Sequence, residues 1–377
     1  MMKFKVDLKE FAEGLSLVGR AVAVKGVRAI LSNVLVLAGE NQLQLVGTDQ
    51  EIMALARVPA QVETHGQCTI PAKLLQEVIS NLPVDEAEGL ITLEQPADNE
   101  GLIHVMSRRG KYHLNVQGTE EYPPFPILER EDFPRAKVSG TALAEAMKQV
   151  AIAVGAEEAN AVQRSMCFLF QGGELRLVAT DSKRLAVTVL RGVTVPKELD
   201  KTFLVPGRAV SEVLKMAEST PDLSIGLFKE QLVFLSEKHQ FLTRLLEGRF
   251  PDYQRVIPKE CSRKATFDVK SLVQSIKAVL PIARQNSFMM SLDMGRNETR
   301  VWSQSKNEGT SEMFISSELN GEAIQIAFNA RYLLDFLGAV NAEKVSLEMT
   351  TPSYPGLFKP VADDNPYQYV VMPISML

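Results

Sequence analysis

The sequence is poor in the residues that bind metals or form disulfides. Its 377 residues include only three cysteines and four histidines. The cysteines are far apart and form no CxxC pair, which indicates a reducing compartment and no disulfide framework: Cys68, Cys167 and Cys261. The histidines have no Asp, Cys or His partner at metal-ligand spacing: His65, His104, His113 and His239. We therefore expect no metal site and no cofactor.

Long apolar runs and catalytic motifs are missing as well. No run approaches the roughly 18 to 20 residues that span a bilayer, so no membrane partner is expected. Residues 1–7 alternate like a strand and do not resemble a signal peptide, so nothing in them suggests export. The sequence has no P-loop, GxGxxG or GxSxG motif. Asp49 and Asp181 both follow Thr and are a formal candidate for a catalytic acid pair, but turns favour Asp and a structural role is the preferred interpretation.

The overall charge offers no attraction to nucleic acid. The formal net charge is −5, while 45% of the residues are hydrophobic and 23% are charged, as in a globular protein with well-developed cores. The length predicts two or three domains.

A repeated helical pattern divides the chain into three units. Three capping residues, Asp7, Ser139 and Asp268, are each followed by large apolar residues at +4, +8 and +11, which is one face of a helix. The apolar residues are Phe11, Leu15 and Val18 in the first copy, Leu143, Met147 and Val150 in the second, and Leu272, Ile276 and Val279 in the third.

Two further landmarks recur in the same order. Residues 43–49 match residues 175–181 as a strand that runs into a turn, with a weak third match at 299–303. A second helix follows a Pro or Asn in each unit, and carries a basic residue followed by an acid at i+4: Lys73 and Glu77, Arg208 and Glu212, Arg331 and Asp335. For any single copy, a surface ion pair is an adequate explanation.

These repeats predict an α+β protein with three domains of about 120 residues, over residues 1–127, 128–258 and 259–377. Six helices are expected, at 8–25, 71–82, 141–154, 206–217, 270–285 and 329–339. They contain eleven basic and six acidic residues, a net charge of +5, so the remainder of the chain carries −10. This segregation favours contact between the helices and phosphates.

Three stretches identify a family. Residues 178–186 (VATDSKRLA), residues 247–258 (EGRFPDYQRVIP) and residues 369–373 (YVVMP) resemble the hallmark segments of the bacterial β sliding clamps of DNA polymerase III. Residues 2–4 and 47–49 fit too, and the resemblance runs in order along the whole chain. It implies a non-catalytic processivity factor in which two chains join head to tail into a ring around duplex DNA. Helices would line the hole and antiparallel sheets would form the outside.

The resemblance also implies partners and sites. The partners would be double-stranded DNA, a second copy of the chain, the polymerase III alpha subunit, a clamp-loader ATPase and other proteins with a clamp-binding motif. The location would be the bacterial cytoplasm, at the nucleoid. Partner peptides would bind between the second and third domains, at Thr180, Arg184, Leu185, Pro251, Arg255, Val256, Val370, Val371, Met372 and Pro373. The chain departs from the family at Ser182 and Lys183, where Gly-His is usual, and in its tail at 374–377.

The residues expected to contact DNA and those expected to form the subunit interface are inferred less directly. Lys25 matches a hole-lining position of the family, and helix placement adds Lys73, Lys148, Arg208, Lys215, Lys277 and Arg331. The apolar interface positions are Tyr112, Leu114 and Ile282. Pro281 is expected to bend or end its helix.

Two other classes of protein remain open at this stage. A sequence-specific DNA-binding regulator would need a helix rich in Arg, Asn or Gln that reads base edges, whereas the basic residues here are spread over six helices. An enzyme of nucleic-acid metabolism would need clustered acids or metal ligands, and the sequence offers none.

Overall fold

The computed structural model describes residues 2–24, 28–82, 89–156, 158–362 and 364–375. Over these residues the chain is a mixed α/β protein with six α-helices: α1 (Leu8–Val18), α2 (Ala72–Asn81), α3 (Gly140–Ala151), α4 (Gly207–Glu218), α5 (Val269–Arg284) and α6 (Ala330–Ala339). Short 3-10 helices cover Ala29–Ser32, Arg130–Asp132, Lys197–Leu199 and Tyr253–Arg255.

The same described residues form twenty-five strands. In chain order they are β1 (Met2–Asp7), β2 (Asn33–Ala38), β3 (Gln42–Thr48), β4 (Ile52–Thr64), β5 (Gly66–Pro71), β6 (Leu90–Gln95), β7 (Leu102–Ser107), β8 (Gly110–Asn115), β9 (Arg135–Ser139), β10 (Ser165–Gln171), β11 (Glu174–Thr180), β12 (Arg184–Leu190), β13 (Thr202–Pro206), β14 (Asp222–Phe228), β15 (Gln231–Leu235), β16 (His239–Arg244), β17 (Arg263–Asp268), β18 (Met289–Met294), β19 (Glu298–Ser305), β20 (Gly309–Ser316), β21 (Glu318–Asn320), β22 (Ile324–Asn329), β23 (Lys344–Met349), β24 (Gly356–Pro360) and β25 (Gln368–Val371).

The contacts divide the chain into two compact units. The first contains residues 1–141, 196–199 and 211–245, and the second contains residues 142–195, 200–210 and 246–377. The first unit holds a twelve-stranded sheet with the path β8-β7-β6-β1-β4-β16-β15-β14-β9, to which β2, β3 and β5 are attached. The second unit holds a nine-stranded sheet, β13-β10-β11-β12-β25-β24-β23-β17-β21, and a four-stranded sheet, β20-β19-β18-β22. Every strand pair in these sheets is antiparallel.

The repeated helical face is the core face in all three copies. The nine apolar residues at +4, +8 and +11 are fully buried in α1, α3 and α5. Two of the predicted caps are present, because Asp7 accepts a hydrogen bond from the Glu10 amide (3.0 Å) and Asp268 accepts one from the Ser271 amide (2.8 Å). Asn329 caps α6 through the Arg331 amide (3.0 Å). The apolar period therefore identified the buried face correctly.

Two helices end earlier than predicted: α1 at Val18 and not at residue 25, and α3 at Ala151 and not at residue 154. Helix α1 ends at Val18 and does not extend to residue 25, because the Ala23 amide donates to the Leu31 carbonyl (2.9 Å) and leads the chain away from the helix. Helix α5 runs through Pro281 to Arg284, within one residue of its predicted bounds. Pro281 lies in the last turn, where its missing N–H costs only one backbone bond, and the buried Ala283 holds the turn against the core.

The shorter helices change the charge count. With the observed bounds the six helices carry nine basic and seven acidic residues, so their net charge is +2 and not the predicted +5. Arg20 falls outside α1, and Glu218 lies inside α4. The helices are therefore still the less acidic part of the chain, but the electrostatic contrast is small.

Candidate peptide-binding site and basic helices

The site predicted for partner peptides lies within the second unit, where β12 meets β25. The two strands pair antiparallel, with Leu185 opposite Val370 and Arg184 opposite Val371. The pairing continues past the strand, because the Met372 amide donates to the Lys183 carbonyl (2.9 Å). The C-terminal strand is thereby fixed against the turn that precedes β12.

That turn, residues 180–184, is built by two side chains. The Thr180 hydroxyl donates to the Arg184 carbonyl (2.8 Å), and the Asp181 carboxylate accepts from the amides of Lys183 (2.9 Å) and Arg184 (3.0 Å). Ser182 has a left-handed φ of 71°, so the turn forms without the glycine that is usual there in the family. The role of Asp181 is structural, as the sequence predicted.

The Arg184 side chain is held inside the protein. It is 12% exposed, its Nε lies 3.0 Å from Asp181 Oδ2, and its Nη1 lies 2.5 Å from Asp335 Oδ2. Its guanidinium also stacks over the Tyr332 ring, 4.3 Å from the centroid. Burial lowers the pKa of Arg184, but the Tyr369 hydroxyl and the two carboxylates outweigh it and raise that pKa above its ordinary value. Arg184 is therefore a permanently charged link between the turn and α6.

An apolar floor lies beside this link. Leu185 and Val370 belong to one core cluster with Cys167, Val178, Val187, Leu204, Tyr253 and Leu357. Val371 is also fully buried. Partly buried residues pack against the cluster and were not predicted as site residues: Val162, Leu169, Leu246, Phe250 and Ile257. Phe250, Tyr253 and Ile257 lie in the 247–258 family stretch. The large apolar residues of that stretch could therefore have predicted this part of the floor.

Exposed residues surround the floor. Met372 is 41% exposed and Val256 is 46% exposed, which is unusual for side chains of their size. Pro251 is exposed, while Thr180 and Pro373 are half-buried. The Arg255 guanidinium is exposed and pairs with the exposed Asp252 (2.8 Å), an ion pair of little energetic value. The site thus combines exposed apolar side chains, a buried apolar floor and one exposed cation, Arg255.

The residues predicted to face DNA lie on the described helices, with one exception. Lys25 lies outside the described residues. The others are exposed: Lys73 on α2, Lys148 on α3, Arg208 and Lys215 on α4, Lys277 on α5 and Arg331 on α6.

In the second and third copies, the acids that follow the repeated bases have other partners, Glu212 with Arg20 and Lys215 and Asp335 with Arg184. Glu212 is buried and forms ion pairs with Arg20 and with Lys215 (3.4 Å). Asp335 binds Arg184, and Arg331 stacks on the Phe288 ring at 4.9 Å. The explanation by a plain i,i+4 ion pair is therefore wrong for Asp335, which holds the peptide-site turn.

The predicted interface positions lie near two sheet edges. Tyr112 and Leu114 are on β8, the edge strand of the twelve-stranded sheet, and Ile282 is half-buried on α5. Leu114 is only 5% exposed, so it already belongs to the core of its own chain. In the second unit, β20 is the edge of the four-stranded sheet and exposes Met313 and Phe314, two residues that the sequence analysis missed.

Metal and membrane features can be stated for the described part of the chain. Those residues contain no group of three or more His, Cys, Asp or Glu side chains placed to hold a metal ion. No helix in the same ranges is both long and apolar enough to cross a membrane.

Known proteins resemble the chain over its whole length. Three family models match in order: the N-terminal domain of the DNA polymerase III beta subunit at residues 2–126, its central domain at 137–252 and its C-terminal domain at 254–375. The beta sliding clamp of Synechococcus elongatus is 29% identical over 382 residues, covering 100% of both chains.

Solved structures agree with this assignment. The beta subunit of Thermotoga maritima superposes with a TM-score of 0.90 at 23% identity, covering all of both chains. A sliding clamp from Pseudomonas aeruginosa bound to griselimycin has a TM-score of 0.89 at 25% identity, again over all of both chains. Because the three domain models together account for nearly every residue, the chain belongs to the family of bacterial DNA polymerase III beta subunits, the beta sliding clamps.

Proposed function

We propose that this chain is a DNA sliding clamp, a non-catalytic processivity factor that encircles duplex DNA and tethers the replicative polymerase to it. The observation that carries the proposal is the match of all three beta subunit domains, in order, from residue 2 to residue 375. The domain boundaries that we propose are 1–127, 128–258 and 259–377. We place its action in the bacterial cytoplasm, at the nucleoid, where a clamp-loader ATPase opens the ring.

The ring consists of two chains joined head to tail at sheet edges. Unpaired edge strands invite pairing with another chain, and a closed ring removes them. β8 and β20 are such edges, and β20 presents Met313 and Phe314, the latter 57% exposed. β8 carries Lys111 and β20 carries Glu312, so the two edges also differ in charge.

Sedimentation tests this interface. Phe314→Asp is expected to convert the dimer to a folded monomer at micromolar concentration, because a charge would enter an apolar contact. This variant is preferable to Leu114→Asp, which would also destabilise the monomer core, since Leu114 is buried there. Tyr354→Asp, at another exposed aromatic residue, is the matched control and is expected to stay dimeric. A wild-type protein that sediments as a monomer would refute the ring.

DNA is held by enclosure more than by affinity. The exposed basic residues on the helices, from Lys73 to Arg331, supply sequence-independent phosphate contacts, but the net helix charge is only +2. Direct binding is therefore expected to be weak and salt-sensitive. A loaded ring is expected to survive a salt wash on circular DNA and to leave after linearisation. Equal retention on both forms of DNA would contradict this mechanism.

Partner peptides bind at the β12–β25 site. An apolar side chain of the peptide is expected to cover the floor of Leu185 and Val370 between Met372 and Val256. Arg184 contributes indirectly, because its guanidinium is committed to Asp181 and Asp335. Arg255 is the exposed cation available to the peptide. The polymerase III alpha subunit, the clamp loader and other proteins with a clamp-binding motif would compete for this site.

A further inference from the structure

The first unit repeats the backbone of the peptide-site turn in residues 48–52. The Thr48 hydroxyl donates to the Ile52 carbonyl (2.8 Å), as the Thr180 hydroxyl donates to the Arg184 carbonyl. The Asp49 carboxylate accepts from the amides of Glu51 and Ile52, both at 2.9 Å. Gln50 has a φ of 78°, against 71° for Ser182. The two turns are the same structure, 132 residues apart.

The strand beside the turn is repeated too. Leu242 on β16 stands opposite Met53, as Val370 on β25 stands opposite Leu185. The Arg244 amide donates to the Glu51 carbonyl at 2.9 Å, the same bond that joins Met372 to Lys183. Met53 and Leu242 share a core cluster with Tyr122, against which Phe125 packs. The first unit therefore contains a counterpart of the peptide site in which Arg244 occupies the position of Met372.

A cavity of about 580 Å³ opens at this counterpart site. Its walls include the buried residues Thr48, Ile52 and Met53, the proline-rich segment 123–126 and Phe228. The volume falls within the range of sites that accept a few side chains of a ligand. The proline residues hold the segment in a fixed, extended conformation, which leaves a preformed wall.

The charges of the cavity differ from those of the peptide site. Among its described lining residues two are basic, Lys229 and Arg244, and none is acidic. Both basic residues are exposed, and Lys229 Nζ lies over the Phe228 ring, 5.4 Å from the centroid. A cation placed beside an apolar wall in this way recognises a carboxylate next to an apolar side chain.

We propose that this cavity is a second peptide-binding site, which takes a short extended peptide with a Leu or Phe anchor followed by carboxylate side chains. The anchor enters between Met53 and the segment 123–126, and Arg244 and Lys229 bind the carboxylates. The site differs in specificity from the β12–β25 site, because the exposed residue at the equivalent backbone position is basic and not apolar. A sliding clamp would in this way hold two classes of partner at once. The proposal rests on the cavity alone and does not require the ring or DNA.

The two sites can be observed separately in one experiment. In protein with ¹³C-methyl methionine, the Met53 methyl reports on the cavity and the Met372 methyl reports on the β12–β25 site, with assignments from Met53→Leu and Met372→Leu. The probe is the peptide acetyl-Ala-Leu-Phe-Asp-Glu, and its uncharged analogue is acetyl-Ala-Leu-Phe-Asn-Gln-amide. The acidic peptide is expected to shift the Met53 signal saturably, and the analogue is expected to bind about tenfold more weakly.

Charge variants complete the test. Arg244→Gln, and separately Lys229→Gln as a second variant, are expected to weaken the acidic peptide about tenfold at the Met53 signal. Arg191→Gln, which removes an exposed Arg outside both sites, is the matched control and is expected to leave this affinity unchanged. The proposal is overturned if the Met53 signal does not respond to the peptide, if only the Met372 signal responds, or if both charge variants bind as the wild type does.

Discussion

The turns 48–52 and 180–184 share a backbone but serve different surroundings. Each is fixed by a Thr hydroxyl and an Asp carboxylate that bond to amides and carbonyls of the same five residues. The fifth residue differs: Ile52 is buried in an apolar environment, whereas Arg184 extends to Asp335 on α6. The comparison shows that two turns can share the same hydrogen bonds while one side chain changes the charge of the surface beside them.

The same contrast appears one strand away. Met372 and Arg244 donate equivalent amide bonds to the turn, and both side chains are exposed. One offers an apolar thioether and the other a guanidinium, so the two sites are expected to select different ligands. Substitutions at Met372 and Arg244 therefore separate the contribution of the side chains to ligand binding from that of the shared backbone.

The largest effect is expected from an exchange at the fifth position of the first turn. Ile52→Arg would place a charge at a buried position in an apolar environment, and is expected to cost about 3 to 5 kcal/mol. Hydrogen exchange of β3 and β4 measures this loss locally. Ile52→Val is the matched control, with an expected loss of about 1 kcal/mol. Similar protection in the wild type and the Arg variant would show that the two turns have interchangeable surroundings.

A smaller effect is expected when the link in the second turn is removed. Arg184→Ala leaves Asp181 and Asp335 without their cation, and is expected to destabilise β12 by about 2 kcal/mol, since Asp335 is partly screened by solvent. Combining it with Asp335→Ala tests the pair. The double variant is expected to lose about 1 kcal/mol less than the sum of the single variants. Strict additivity would mean that the ion pair contributes nothing.

The peptide sites are compared by shortening their equivalent exposed residues. Met372→Ala is expected to weaken a Leu/Phe-containing partner peptide without acidic side chains about five- to tenfold, because it removes part of the apolar surface that the anchor contacts. Arg244→Ala is expected to leave that peptide unaffected. Titration of one labelled peptide against the three proteins measures both effects. If wild type and Met372→Ala bind alike, while both fold and dimerise normally, the partner site lies elsewhere.

The smallest effect concerns the left-handed residue of each turn. Gln50→Gly is expected to stabilise the first unit by about 0.5 kcal/mol, because glycine relieves the strain of a positive φ but loses more entropy on folding. Ser182→Gly is expected to be neutral, since it also removes the hydrogen bond from Gln163 Nε2 to the Ser182 hydroxyl. Thermal unfolding of the two variants provides the comparison. A larger gain at Ser182 would show that this bond adds no stability.

Much of the fold could be predicted from local patterns. The +4, +8 and +11 residues identified a buried helix face three times, and the Thr-Asp pairs identified two turns, because capping, amphipathic periods and Asx hydrogen bonds act within a few residues. The ends of the helices were harder to predict from the sequence. Helix α1 stops at Val18 because of a bond from Ala23 to Leu31, which depends on how the following segment folds back.

The candidate site was predicted in part. Family stretches led to Leu185, Val370 and Met372, and the structure brings them together across one strand pair. The same stretches gave no indication that Arg184 is held by Asp335 and Tyr332, since those partners lie about 150 residues away in the chain. The helix charge was overestimated for a related reason, because it depended on boundaries that tertiary contacts decide.

By itself, the sequence determined the three-fold repeat, the buried helix faces, the turns and the family, all of which depend on short-range order or on ordered motifs. Only the tertiary structure decided which charged groups are committed to internal partners and which exposed residues surround a cavity. Pairing and exposure depend on strands that are distant in sequence, such as β4 with β16 and β12 with β25. Burial then sets the strength of each charge interaction, and no local pattern encodes it.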